Sequence, residues 1–176
     1  VTAAALGLLV DRGRLDLDAE IQTYVPYFPR KRWPVTVRQV AGHIGGIRHY
    51  LGDENLSARR YPTVREGIAI FAEDSLLFEP GTDYSYSSYG WNLLSAVVEG
   101  ASGMPFLEFM RREVFEPLGL RSIVAEHGNV HGQVLPLWSS RRRVEETFHG
   151  SGAALGRFMA VPLGVHAVPV TAVATS

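Results

Sequence analysis

A predominantly helical chain is predicted, on three observations. Apolar residues recur at helical spacing in stretch after stretch. Two pairs, Thr36 with Gln39 and Thr63 with Glu66, have the spacing of capping boxes. Glycines and prolines stand where such helices would stop and start, at Gly13, Gly45-Gly46, Gly103 and Pro105.

In chain order, residues 2–12 read as a helix that is apolar almost all round, which belongs in a core; Gly13 follows as its C-cap. Leu15-Asp16-Leu17-Asp18 alternates, and Ile21, Tyr24 and Val25 lead to Pro26 and Pro29, read as a turn-rich surface stretch. Thr36 opens a short helix expected to end at Gly45-Gly46. Thr63 opens another, with Ile68, Ile70 and Phe71 as its apolar face. Glu79-Pro80-Gly81-Thr82 signals a turn. From Tyr89 a strongly apolar helix runs to Ser102-Gly103. Pro105 begins a last one, with Phe106, Phe109, Met110 and Val114 inward, ending at residues 115–119. After about Ser122 the texture changes: residues 147–176 hold no acid and show no clear period. No repeat of solenoid length is present.

With 46% hydrophobic and 20% charged residues, wholesale disorder is excluded. The net charge of −1 gives no pull towards nucleic acid or an anionic membrane. The basic clusters Arg30-Lys31-Arg32 and Arg141-Arg142-Arg143 read as solvated loops. Absence of cysteine removes disulfides, thiolate catalysis and Cys-ligated zinc or iron–sulfur sites. The apolar run at residues 1–10 is too short to span a bilayer, so no transmembrane segment is expected in these residues. The chain opens on Val rather than Met and is expected to be a piece of something longer.

Four landmarks fall in one order. "TAAALGLLVDRGRLDLDAEIQTYVPYFP" resembles the segment after the catalytic Ser-x-x-Lys of the β-lactamase-related serine hydrolases, the penicillin-binding-protein-like family. "VTVRQVAGHIGGIRHY" is similar to that family's "itvrqLLsHtSGi", "FEPGTDYSYSSYGWNLLSAVVEGASGMPF" to its "fePGt.f.YSN.gy.lLg.iiE..sG.pf", and "VFEPLGL" to its "ifePLGm". The resemblance spans residues 1–121 and leaves 122–176 as an unassigned tail, expected to be a divergent or frameshifted ending. Within the family, "HIGGIRHY" followed by "YSYSSYG" resembles the mitochondrial serine β-lactamase-like proteins and their bacterial relatives. The resemblance implies an α/β parent fold of the serine β-lactamase/DD-peptidase type, with this chain covering most of its helical subdomain.

The implied chemistry is acyl transfer at an amide or ester bond of a small-molecule or peptide substrate. A serine hydroxyl needs a base within hydrogen-bond reach, and the family supplies a lysine one helical turn on. A Tyr-x-Asn loop adds a phenol, and backbone amides bind the oxyanion. No organic cofactor, metal or nucleic acid is implied, and the setting by family analogy is the bacterial periplasm or secretion. Lys31 is the only lysine and Phe28 stands three residues before it, so Ser-x-x-Lys is absent from these residues. It is expected to end just before Val1, and the chain alone is expected to be inactive. His43-Ile44-Gly45 fits the family's later Lys/His-x-Gly expression but occupies an earlier landmark.

The candidate site residues are Tyr86 and Ser88. Side chains two apart in an extended loop point the same way, so both can face one cleft. Tyr86 is the candidate general base or proton relay; the competing role is that Tyr84, Tyr86, Tyr89 and Trp91 together cap the core. Ser88 replaces the family's usual Asn, and a hydroxyl offers fewer hydrogen bonds than an amide. That leaves esterase or peptidase chemistry as open as β-lactam hydrolysis. His43 and His49 lack a carboxylate at metal-ligand spacing, and His43 is expected to be structural, bonded to a nearby backbone group. Gly-x-Ser-x-Gly and phosphate-binding loops are absent. The alternative is a non-catalytic binding or scaffold protein with the same fold.

Overall fold

In a computed structural model of the chain, the described residues are 1–57, 59, 61–120 and 123. They form α1 (Thr2–Asp11), α2 (Val37–Ala41), α3 (Val64–Ile68), α4 (Ser88–Ser102) and α5 (Phe106–Phe109), the last running into a π-helical turn over Met110–Phe115. Short 3-10 turns at Ile21–Thr23 and Glu54–Leu56 interrupt the connections. Among the described residues the only β pairing is an isolated antiparallel bridge between Glu20 and Thr36. The predominantly helical expectation therefore holds for these residues.

α4 is the axis. Tyr89, Leu93, Leu94, Ala96, Val97 and Val98 are all buried, and α1, α2, α3 and α5 pack around them. A helix that is apolar on nearly every side finds its lowest free energy in the middle of the others. Ser87 caps its start by accepting from the Gly90 amide, and Gly103, at φ 69°, ends it. α1 contributes Ala4, Ala5, Leu6 and Leu9 to this core. α5 follows α4 across a 74° bend. There the Phe106 amide donates to Glu99 Oε1 at 2.8 Å, tying the two helices together. Burial pushes the Glu99 carboxyl above its ordinary range, partly offset by this bond. No single described helix is long and apolar enough to cross a membrane.

Three local expectations are corrected. The stretch from Ile21 to Pro29 is not a surface stretch: Ile21, Val25 and Phe28 are buried, because the 3-10 turn and the turns after it, closed by the Val25 amide on Ile21 and the Phe28 amide on Val25, lay all three on the core. α2 ends at Ala41, four residues early, because His43 takes a left-handed φ of 60° that no helix can continue through. At α3 only half the predicted box forms; Thr63 Oγ1 accepts from the Glu66 amide while its hydroxyl donates to Glu66 Oε1. At α2 both halves are present. The tail from residue 122, apart from Ile123, lies outside the described residues, as does the cluster Arg141-Arg142-Arg143.

Two glycines are fixed by close approach. A Cβ on Gly46, whose φ is +72°, would lie 2.7 Å from the Phe78 carbonyl oxygen. A Cβ on Gly100 would lie 1.9 Å from the Tyr24 carbonyl oxygen. Since that neighbour is backbone, α4 and the segment after Ile21–Thr23 would have to separate. Gly100→Ala is therefore expected to destabilise the chain by roughly 2–3 kcal/mol, despite the better helix propensity of alanine. Urea unfolding checks this; a variant as stable as the parent would show that the contact does not hold α4 in place.

Candidate functional site

The turn that leads into α4 sorts its side chains by alternation. Ser87 is extended (φ −140°, ψ 116°) and points inward. It is buried, its hydroxyl donating to the Arg48 carbonyl at 2.7 Å while accepting from the Gly90 amide at 2.9 Å. Tyr86 and Ser88, on either side, face the opposite way. Both line a cleft of about 390 Å³, together with Thr2 and Ala3 at the start of α1, Tyr50, and Trp91, Asn92 and Ser95 on α4. Phe106 also lines it.

Two imidazoles hold this turn. The Ser87 amide donates to His43 Nδ1 at 3.1 Å, and the Ser88 amide to His49 Nδ1 at 3.2 Å. The Tyr86 ring lies between them, its centroid 4.6 Å from that of His43 and 5.5 Å from that of His49. Trp91 Nε1 also approaches His43 Nε2 at 3.2 Å, and the His43 carbonyl accepts from the Ser85 amide at 2.9 Å. Burial pushes the His43 imidazole below its ordinary range. Tyr50 packs against His49 in a tilted arrangement at 4.4 Å and meets Tyr89 edge-on at 4.9 Å. Its phenol is raised by burial, an effect opposed by a hydrogen bond with Ser88 and reinforced by Tyr86.

Beneath the turn sits a nearly buried guanidinium. Arg48 grips Glu54 with both terminal nitrogens, at 2.7 and 3.0 Å, while Nε donates to Asp74 and Nη1 also reaches the His49 carbonyl. The Glu54 carboxylate takes two more bonds, from the Leu51 amide at 2.8 Å and the Tyr89 hydroxyl at 3.0 Å. The guanidinium lies over the Tyr89 ring at 5.1 Å. Its hydrogen bonds, aided by those of Leu51 and Tyr89, outweigh desolvation and hold the Glu54 carboxyl down to about 2. Burial first, and Glu54 second, push the Tyr89 phenol well above its ordinary range.

Alternation thus brings Tyr86 and Ser88 to one cleft. Capping the core falls to Tyr89 alone of the loop's three tyrosines: Tyr84 and Tyr86 are 63% and 54% exposed, and Trp91 is partly buried at the cleft wall. His43 does bond a backbone group. Sequence reasoning missed Tyr50, Asn92 and Phe106 as cleft residues, the second imidazole His49, and Arg48. The signal available was the string "GGIRHY", an arginine and two ring side chains beside a glycine pair in an apolar setting. Among the described residues no group of three His, Asp or Glu side chains could hold a metal ion. Lys31 is no patch residue either: its ammonium donates to the Ala72 and Asp74 carbonyls and lies 4.9 Å from the Phe28 ring centroid.

The family model described as Beta-lactamase matches residues 1–129. The mitochondrial serine beta-lactamase-like protein LACTB of Homo sapiens is 27% identical over 195 residues, covering 72% of this chain and 36% of its own length. Esterase EstB of Burkholderia gladioli is 31% identical over 137 residues, covering 69% of this chain and 35% of its own. A solved penicillin binding protein from Bacillus halodurans superposes with a TM-score of 0.62 at 26% identity, covering 73% of this chain and 42% of that one. The chain spans about a third of the length of the curated relatives it matches.

The ion-pair geometry sets a pH dependence. Glu54 is depressed from 4.5 to about 2, so its contribution is fully present above about 4.5 and is lost as pH falls towards about 2. Glu54→Gln leaves the guanidinium short of its main partner and is expected to cost roughly 2–4 kcal/mol at neutral pH. The gap between variant and parent should narrow steadily over that acid window. Denaturant titrations at stepped pH read both quantities. A constant gap down to the acid end would mean that the carboxylate charge is not the stabilising element.

Proposed function

The chain belongs to the Beta-lactamase family, and on that premise we propose that it is the helical part of a serine hydrolase cleaving amide or ester bonds through an acyl-serine intermediate. The observation that carries the reading is the meeting of Tyr86 and Ser88 with the first residues of α1 in a single cleft. In the family's order the Ser-x-x-Lys helix leads into the segment that α1 resembles, so its serine and lysine would enter the cleft from that side. The parent fold in this reading is α/β, an antiparallel sheet flanked by helices, with residues 1–121 as the helical subdomain. Its substrates are small amides, esters or peptides, and the chemistry requires no metal or organic cofactor.

The roles follow from the chemistry. The lysine removes the serine proton, and the serine oxygen attacks the carbonyl carbon to form a tetrahedral oxyanion held by backbone amides. Tyr86 carries the proton onward to the leaving group. A phenol ordinarily ionises near pH 10, so the lysine beside it is what would make it an effective relay. Ser88 offers a single hydroxyl donor to the substrate, supporting esters at least as well as amides. The cleft walls of Tyr50, Trp91 and Phe106 favour an apolar or aromatic acyl group.

Two measurements test the proposal. A polypeptide of these 176 residues is expected to take no stoichiometric label from a fluorophosphonate probe and to leave a chromogenic cephalosporin intact, since nucleophile and base carry most of the rate in such systems. Labelling of any serine in the chain at one equivalent would refute it. In a longer protein that carries Ser-x-x-Lys ahead of α1, Tyr86→Phe should lower the acylation rate by about 10²–10⁴ while leaving stability within about 1 kcal/mol. Parental rate and parental stability together would remove Tyr86 from the mechanism. Ser88→Asn in the same protein should fold and shift turnover towards amides over esters.

A further inference from the structure

We propose that His43 and His49 are positioning residues that hold Tyr86 and Ser88 in the cleft as neutral imidazoles and release them when protonated. The inference rests on the reading of Tyr86 and Ser88 as site residues. Its physical basis is the direction of the contacts. In both cases a backbone amide of the turn donates to an imidazole nitrogen: Ser87 to His43 Nδ1 and Ser88 to His49 Nδ1. A protonated ring carries N–H on both nitrogens and can accept neither. Protonation therefore sets donor against donor and removes the two bonds that fix the turn on either side of its buried serine.

His43 is the more constrained of the two. Its second nitrogen, Nε2, faces Trp91 Nε1 at 3.2 Å. The neutral ring has one lone pair to give, so in either tautomer it accepts one of these two donors; the imidazolium accepts none. The left-handed backbone of His43, at φ 60°, is what turns the ring to face both. Among the described residues no charged side chain bonds either imidazole. The groups facing His43 are the phenols of Tyr84 and Tyr86 from the loop and the indole of Trp91 from α4. Those facing His49 are the phenols of Tyr50 and Tyr86. The nearest charge along the chain is Arg48, which donates to the His49 carbonyl and is itself paired with Glu54 and Asp74. Burial disfavours the charged form of the His43 imidazole, so the ring stays neutral, and able to accept, further into acid than an exposed histidine would.

The geometry names its own control. Asparagine places an amide oxygen where Nδ1 stands, cannot take up a proton in this range, and tolerates positive φ better than other side chains. His43→Asn should therefore keep the turn in place without its response to acid, and His49→Asn should do the same at Ser88. The test is amide hydrogen exchange and nitrogen-resolved NMR of the 176-residue chain from about pH 8 to about pH 5. Protection factors are compared so that the intrinsic pH trend of exchange divides out. Expected for the parent is a fall of about tenfold in the protection of Ser87 and Ser88, the worth of one hydrogen bond each, as the solution is made acid. Expected for the doubly substituted His43→Asn/His49→Asn chain is parental protection at neutral pH with no fall in acid. The proposal is overturned if both amides ignore the fall in pH, or if the double variant shows the same acid response. Tyr86→Phe leaves all four hydrogen-bonding groups in place and should respond like the parent. The clamp is thus read independently of any chemical role for the phenol.

Discussion

The guanidinium of Arg48 is the constraint on which the neighbourhood of the cleft depends. With only 8% of its surface exposed, it is one of the few charged or polar residues inside the packed region. A buried charge is tolerable only when its donors are satisfied, and here Glu54, Asp74 and the His49 carbonyl take them. Those partners come from different connections, one between α2 and α3 and one between α3 and α4. Apart from the 3-10 turn at Glu54–Leu56, neither connection has regular structure of its own to hold it there. The charge is what gives these irregular segments a single arrangement; an apolar side chain of similar volume could pack without specifying which carboxylate it meets.

From the same residue the order is passed to the site. The Arg48 carbonyl accepts from the Ser87 hydroxyl, so the cap of α4 is bonded to the same residue that carries the anchored guanidinium. Once Ser87 is inward, alternation turns Tyr86 and Ser88 towards the cleft, and the two imidazoles hold the backbone amides beside them. A second strap runs parallel to it. The Gly46 carbonyl accepts from Leu77 and the Ile44 carbonyl from Gly81, each at 2.8 Å, which binds the glycine pair to the Glu79-Pro80-Gly81 turn. Gly46 permits the approach because it has no side chain to meet the Phe78 carbonyl.

What could be read beforehand was whatever repeats or is local. α4, α5, the box at Thr36 and Gln39, and the shared direction of Tyr86 and Ser88 are all consequences of spacing within a few residues. What could not be read joins residues without period. Arg48 and Asp74 are 26 apart, Ser87 and Arg48 39 apart, and no window along the chain contains both ends. The early end of α2 was hidden for a different reason: Gly45-Gly46 is the obvious stop signal, but the left-handed position went to His43, where side-chain contacts offset the strain. Ile21, Val25 and Phe28 misled because the prolines among them mark turns, and a turn can still lie with its apolar side on a core.

The start of α4 shows how structure and site are bound together. A helix leaves its first amides without intrahelical partners, and polar side chains usually satisfy them. Here the Gly90 amide goes to Ser87, in the ordinary way, while the Ser88 amide and that of Ser87 itself go to imidazoles from a distant connection. An aspartate could have capped the same positions more strongly through charge. It would also have brought a fixed anion to the wall of the cleft, where the proposed chemistry develops negative charge of its own. Neutral imidazoles satisfy the donors without that penalty, and Tyr86 meets them tilted at 4.6 Å on the His43 side and edge-on at 5.5 Å on the His49 side, limiting where the ring can go. The choice of cap therefore sets both the beginning of the central helix and the electrostatic character of the surface beside it.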